Sequence, residues 1–261
     1  MNDINYIEAN KIAWSEVNTL HQEFKEKYKE KFIQDKDFVA IDEKLLQTMN
    51  RLNFANKSIL HVCCNDGEEL ISLKKKGAGK CVGVDLSIDA ITSAIELNEK
   101  LQLDCKFHTE NVYNIENHIS ETFDFVLITV GALVWLPDLD KLFSTLSNFM
   151  HAGSQLVIQE QHPFSWIIDE EMKLSKTDLY FKKGPYKEKG GLDYLGNKEY
   201  EGSDNYTFNY TLGELFNLQI KHGLNIQSFE EFPFDISNLK SDIEKEDAAF
   251  PLSYICISKK Q

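Results

Sequence analysis

Long apolar runs, cysteine pairs and positive charge are all scarce in these 261 residues, and each scarcity excludes a class of protein. The longest uncharged apolar run, Phe125 to Leu136, is too short to span a bilayer as a helix. Met1-Asn2-Asp3 carries an acid where a secretory leader has bases, and no apolar stretch follows. Neither leader nor membrane anchor is expected, and the expected compartment is cytoplasmic. The cysteines number five, which is odd: Cys81, Cys105 and Cys256 stand singly in apolar, strand-like contexts and Cys63-Cys64 are adjacent. No disulfide framework follows from that pattern. Zinc needs spaced ligands, and no second Cys or His pair has that spacing, so no metal is expected and the adjacent pair reads as small packing residues in a turn. Basic residues number 28 against 42 acids, a formal net charge of −14. Such a surface repels phosphate backbones, so no nucleic-acid partner is expected.

What is present is ordinary globular material, 42% apolar and 27% charged, in a length that suits one domain with insertions. Apolar residues recur at helical spacing from Ile4 to about Tyr28 and from Ile41 to about Leu52, predicting an N-terminal helical cap over 1–57. Strand-like runs near 58–63, 80–85, 104–108, 123–129 and 154–160 then alternate with helical ones near 66–76, 88–101 and 138–150. Gly77, Gly79 and Gly153 punctuate the helix ends. This alternation predicts an α/β core over 58–162, a doubly wound and mostly parallel sheet. A helix from Leu212 to His222, a strand near 224–230 and a last strand from Leu252 to Ser258 complete seven strands within 211–261. Residues 163–210 are surplus to that plan. They are rich in Lys, Gly and aromatics, and a structureless loop of that length is unusual, so a small β-rich lid is expected.

The most informative stretch is 58 to 85. Ser58-Ile59-Leu60-His61-Val62 runs as a strand into the turn Cys63-Cys64-Asn65-Asp66-Gly67, and Cys81-Val82-Gly83-Val84-Asp85 is a second strand ending on a carboxylate. Asp85 lies 18 residues after Gly67, where an acid at the mouth of a parallel sheet can accept both ribose hydroxyls of an adenosine. The turn argues against a dinucleotide. A pyrophosphate site wants G-x-G-x-x-G, but Cys63 and Asn65 hold the candidate glycine places, and no Lys or Arg lies between Ser58 and Ser72. S-adenosylmethionine needs a ribose acid and a turn but no anion cradle. It is the better match.

The order of motifs resembles the class I S-adenosylmethionine-dependent methyltransferases over most of the chain. The resemblance rests on Val62-Cys63-Cys64-Asn65-Asp66-Gly67, on Gly83-Val84-Asp85-Leu86-Ser87, on Glu110-Asn111-Val112-Tyr113, and on Phe123 to Thr129. A bacterial small-molecule subgroup is matched more narrowly by Leu60-His61, Trp135-Leu136-Pro137-Asp138-Leu139 and His162-Pro163-Phe164. The chain departs from the family at Cys63 and Asn65, where glycine is usual, and at Asn111, where aspartate is usual. The resemblance implies a seven-stranded Rossmann-like sheet whose seventh strand inserts antiparallel. It also implies methyl transfer from S-adenosylmethionine to a small-molecule acceptor.

Cofactor contacts are then expected from Cys63, Asn65 and Gly67 along the methionine tail, Asp85 at the ribose, and Asn111, Leu86 and Val112 at the adenine. Thr129 stands at the fourth strand's end. Each has a plainer reading. Asp85 could cap the next helix, although Ser87 suits that better. Asn111 could cap a turn. Trp14 could be a core residue, and only the Asn10-Lys11-Ile12-Ala13-Trp14 resemblance favours a cofactor lid. His162 is the candidate base, because imidazole titrates near neutrality, against a structural histidine bonded to backbone. Glu160 could orient it. The competing classes are a non-catalytic binder of the same cofactor and an NAD-type oxidoreductase. Neither the acceptor nor the oligomeric state is legible in the chain.

Overall fold

The computed structural model describes residues 5–168, 173–189, 202–237, 239 and 250–261, and within the first helix no side chain of 18–24. Helix α1 (Tyr6–Gln34) starts at Asn5, whose side chain accepts the Glu8 N–H at 3.2 Å. It runs past the Tyr28 end expected from periodicity, because no breaker intervenes before Asp35. Phe32, 1% exposed, buries its last turns edge-on against Phe38. Helix α2 (Glu43–Arg51) is capped by Asp42.

Strand β1 (Ile59–Val62), helix α3 (Glu68–Lys75), strand β2 (Cys81–Asp85), helix α4 (Ile88–Lys100) and strand β3 (Lys106–Thr109) follow. Ser87 caps α4, accepting the Ala90 N–H at 3.3 Å. Strand β3 begins later than the expected 104, because the Asn98 side chain claims both the N–H and the carbonyl of Cys105. A 3-10 turn (Val112–Asn117) leads to β4 (Phe123–Ile128). Then come a 3-10 turn (Leu133–Trp135), helix α5 (Leu139–Asn148) and the long strand β5 (Met150–Gln161).

In the insertion, a 3-10 turn (Ser165–Ile167) precedes β6 (Tyr186–Lys189) and β7 (Asp204–Thr207), which pair antiparallel as a separate two-stranded sheet. The expected lid over 163–210 also covers 169–172 and 190–201, which lie outside the described residues. Helix α6 (Leu212–Lys221) has a full capping box, Thr211 with Glu214. Strands β8 (Leu224–Phe232) and β9 (Ser253–Lys260) end the fold.

The main sheet has seven strands in the order β3-β2-β1-β4-β5-β9-β8. The first five are mutually parallel, and β9 inserts antiparallel between β5 and β8. The expected doubly wound sheet is therefore present, with its antiparallel seventh strand. Alternation along each strand feeds two cores. Leu60, Val62 and Val126 face α5 and α6 through Phe143, Leu146 and Leu215. Ile59, Phe125 and Leu127 face Met49 of α2, Leu70 of α3 and Ile91 of α4. Both faces are covered, as a parallel sheet requires. The order reverses between β1 and β4, so the crevice at their carboxyl ends is where a ligand belongs.

Candidate functional site

The turn after β1 settles what Cys63 and Asn65 do in place of glycine. Cys63 has φ 53°, Asn65 φ 47° and Gly67 φ 69°, so the loop takes the left-handed path at all three positions. Asn tolerates that conformation; for Cys it is strained by about 1–2 kcal/mol. Gly67 is also required by packing. A Cβ there would stand 2.5 Å from the Phe107 ring of β3, and one at Gly83 would meet the same ring at 2.6 Å. Burial, reinforced by Asp85, pushes the Cys63 and Cys64 thiols up, so both stay protonated and unreactive.

Asp85 ties this loop to the next one. Its Oδ2 accepts the Asn65 N–H at 2.9 Å and its Oδ1 the Ser87 N–H at 2.9 Å. Burial raises its pKa, and those two N–H donors oppose the rise. Each oxygen keeps a further lone pair for a hydroxyl. Asn111 caps the 3-10 turn, its Oδ1 accepting the Tyr113 N–H at 3.1 Å. Its NH₂ group makes no hydrogen bond among the described residues and stays available as a donor. Leu86 is half-buried beside Asp85, whereas Val112 is 5% exposed and belongs to the core with Val62 and Val84. Trp14 stacks edge-on against Trp135 at 5.3 Å, beside buried Ala13 and Val17.

Thr129 is buried at the end of β4, and its hydroxyl lies 3.0 Å from Nε2 of His61 in β1. Full burial lowers the His61 pKa to about 3, so the ring is neutral, and its Nδ1 has no partner among the described residues. Sequence reasoning used His61 only as a resemblance marker. A buried histidine in an apolar strand offers no signal of its hydroxyl partner, 68 residues away.

The mouth of the site is acidic. Asp66, 7% exposed, pairs with Lys25 of α1 at 2.8 Å. Burial, with Asp66 nearby, pushes Glu68 up to about 8 and Glu69 up to about 7. On the other side of the crevice, Glu160 at the end of β5 is 3% exposed. Its Oε1 accepts the N–H groups of Gly131 at 2.7 Å and Gln161 at 2.8 Å, and its Oε2 that of Leu133 at 3.2 Å. Burial raises it to about 7 despite these donors. Glu160 thus clasps the loop after β4. It also lines a cavity of about 30 Å³ beneath a wider mouth, together with Trp166, Phe208, Tyr210 and Tyr254.

A sequence model of the family described as "Methyltransferase domain" matches residues 53–207, from the end of α2 through β7. The chain belongs to this family. This is the S-adenosylmethionine-dependent class that the motifs resembled. Similar folds occur in two S-adenosylmethionine-dependent methyltransferases. The one from Mesorhizobium loti has TM-score 0.62 and 17% identity, covering 82% of this chain and 96% of that one. The one from Clostridium acetobutylicum has TM-score 0.61 and 15% identity, covering 92% and 99%. Geranyl diphosphate C-methyltransferase from Streptomyces coelicolor, solved with S-adenosyl-L-homocysteine, has TM-score 0.58 and 13% identity, covering 84% and 78%. No curated protein matches the chain in sequence.

In this methyltransferase-family chain the expected base, His162, is tightly held. Its Nδ1 accepts the Phe164 N–H at 3.1 Å, and its buried Nε2 lies 3.1 Å from Glu231 Oε1, an ion-pair distance without hydrogen-bond geometry. The Nδ1 acceptor role puts the ring proton on Nε2, toward Glu231. The residue is 5% exposed and edge-on to Tyr254, and burial lowers its pKa against the pull of Glu231. Neither nitrogen presents a free lone pair, an arrangement that favours the structural reading. Glu160, expected only to orient His162, instead binds the backbone of the loop after β4. Among the described residues no three His, Cys, Asp or Glu side chains gather as metal ligands, and no helix is long and apolar enough to cross a membrane.

Proposed function

We propose that this chain transfers a methyl group from S-adenosylmethionine to a small-molecule acceptor. The observation that carries the reading is the Asp85 junction: a half-buried carboxylate at the end of β2, engaged by the first-turn backbone through Asn65, with a lone pair left on each oxygen. The residues fit the cofactor. Asp85 accepts the ribose hydroxyls, Leu86 covers the adenine, and the Asn111 NH₂ donates to a ring nitrogen. An amide NH₂ donates where an aspartate carboxylate accepts, so this contact differs in sense from that of an aspartate. Cys63 to Gly67 follow the methionine tail, Trp14 and Trp135 close the site from above, and Val112 and Thr129 back it from the core.

When bound, the cofactor supplies an electrophilic methyl on a sulfonium cation. The carboxylates at Asp66 and Asp85 suit a cation and repel a pyrophosphate, which disfavours an NAD-type oxidoreductase. The chain's residues then need only hold the acceptor in line and keep water out. The acceptor enters beneath the 163–210 insertion. The geranyl diphosphate of the Streptomyces enzyme is a poor guide to it, because among the described residues no Lys, Arg or His lines the cavity around Glu160. His162 serves as a positioning residue for the Pro163-Phe164 turn.

Calorimetric titration with S-adenosylhomocysteine and with NAD tests the cofactor. Binding of NAD in preference would overturn the proposal. Transfer of a radiolabelled methyl group to any acceptor separates an enzyme from a non-catalytic binder.

A further inference from the structure

The cavity at the carboxyl end of β5 has one charged wall and several aromatic ones. Among the described residues Glu160 is the sole ionisable acid or base lining it apart from the tyrosines, and Trp166, Phe208, Tyr210 and Tyr254 supply the rings. Tyr254 is 2% exposed, and its hydroxyl, which makes no hydrogen bond among the described residues, opens on the cavity and can donate to a ligand there. The bond from Leu133 to Glu160 Oε2, at 3.2 Å, is longer than those from Gly131 and Gln161 to Oε1, so Oε2 is the oxygen with acceptor capacity toward a ligand. The chain itself already places a cation against these rings, since the Lys183 ammonium lies 5.0 Å from the centroid of Tyr210.

We propose that this cavity is the acceptor site and that it takes a primary or secondary amine, arriving as its ammonium, between the Glu160 carboxylate and the Trp166, Tyr210 and Tyr254 rings. Carboxylate and ring faces attract an ammonium together, while an anionic acceptor has no counter-charge there and a neutral one leaves the carboxylate unmatched. The proposal rests on the methyl-transfer reading for its chemistry. The ammonium gives one proton to Glu160, which frees the nitrogen lone pair. That pair forms the N–C bond as the methyl C–S bond breaks, and the C–S electron pair stays on sulfur. The product leaves as a methylated ammonium, and Glu160 releases its proton to water. The cavity as it stands admits little more than water, so the amine must displace the aromatic side chains at its mouth.

The test uses benzylammonium, benzyl alcohol and benzoate as a matched set, titrated calorimetrically into the full chain with and without S-adenosylhomocysteine. Benzylammonium should bind at least about tenfold tighter than either isostere. Glu160→Gln should abolish that preference. Because Glu160 also clasps a loop, Tyr254→Phe provides a milder variant, and it should weaken benzylammonium several-fold without affecting benzoate. Equal binding of the three probes, or no measurable binding of the cation, overturns the amine site. A chain that prefers benzylammonium but ignores S-adenosylhomocysteine would instead overturn the cofactor reading and leave the cation site standing.

Discussion

Replacing Asp85 by alanine separates the loop-tying role of this carboxylate from its ribose role. Two backbone donors lose their acceptor in the variant, Asn65 N–H and Ser87 N–H, each at 2.9 Å. The first is exposed, so water replaces the carboxylate there, while the second is partly buried and is left poorly satisfied. A hydrogen bond to a charged group is worth about 1.5–3 kcal/mol, so folding should lose roughly one such bond. Part of that loss is offset, because burial of the carboxylate is itself unfavourable, as its raised pKa shows. A net destabilisation of about 1–2 kcal/mol is therefore expected, leaving a folded protein. Cofactor affinity should fall further, by about 1.5–3 kcal/mol, or roughly ten- to hundred-fold in Kd. Urea unfolding gives the first number and calorimetric titration with S-adenosylhomocysteine the second. A folded variant with unchanged affinity would refute the ribose assignment, and the junction would then be purely structural.

Glu160 makes stability depend on pH in a stated direction. Its folded pKa of about 7 lies above the ordinary 4.5, so its contribution is fully present below about 4.5 and is lost as pH rises through about 7. Denaturant titrations from about pH 5 to pH 8 should show wild type losing about 2.5 kcal/mol more than Glu160→Gln; parallel curves would mean the carboxyl titrates normally. At the first turn, Cys63→Gly should be tolerated within about 1 kcal/mol, because relief of the left-handed strain offsets the added chain entropy. Cys63→Val should instead lose about 2 kcal/mol or more together with cofactor affinity, since a β-branched residue resists positive φ; a valine variant as stable as wild type would disprove the strain. For His162, alanine should destabilise by about 1–3 kcal/mol and asparagine should restore the fold and turnover, because an Asx turn accepts the same Phe164 N–H. If asparagine leaves kcat about 10²–10⁴-fold down with cofactor affinity intact, the histidine is a base after all.

The sheet was legible because its information is local and periodic. Strand runs, helix caps at Ser87 and Asp138, and breaks at Gly77 and Gly153 are each decided within a few residues, and a parallel α/β sheet has few ways to join them. The acid ending β2 was legible for the same reason, since its distance from the first turn follows from the length of one helix and two strands. Everything that depends on residues far apart required the tertiary structure. Proximity sets the Glu68, Glu69 and Glu160 pKa values, through burial and neighbours that no window of sequence contains. Gly67 has a second constraint that the turn itself does not show, the ring of Phe107, 40 residues on, where helix and strand must approach closely. His162 looked like a base because of its place after β5, whereas its hydrogen bonds are made to Phe164 and its charge partner comes from β8. Residue types and their order determined the fold and the cofactor class. Which buried groups keep a free lone pair is a property of packing, and only the folded chain decides it.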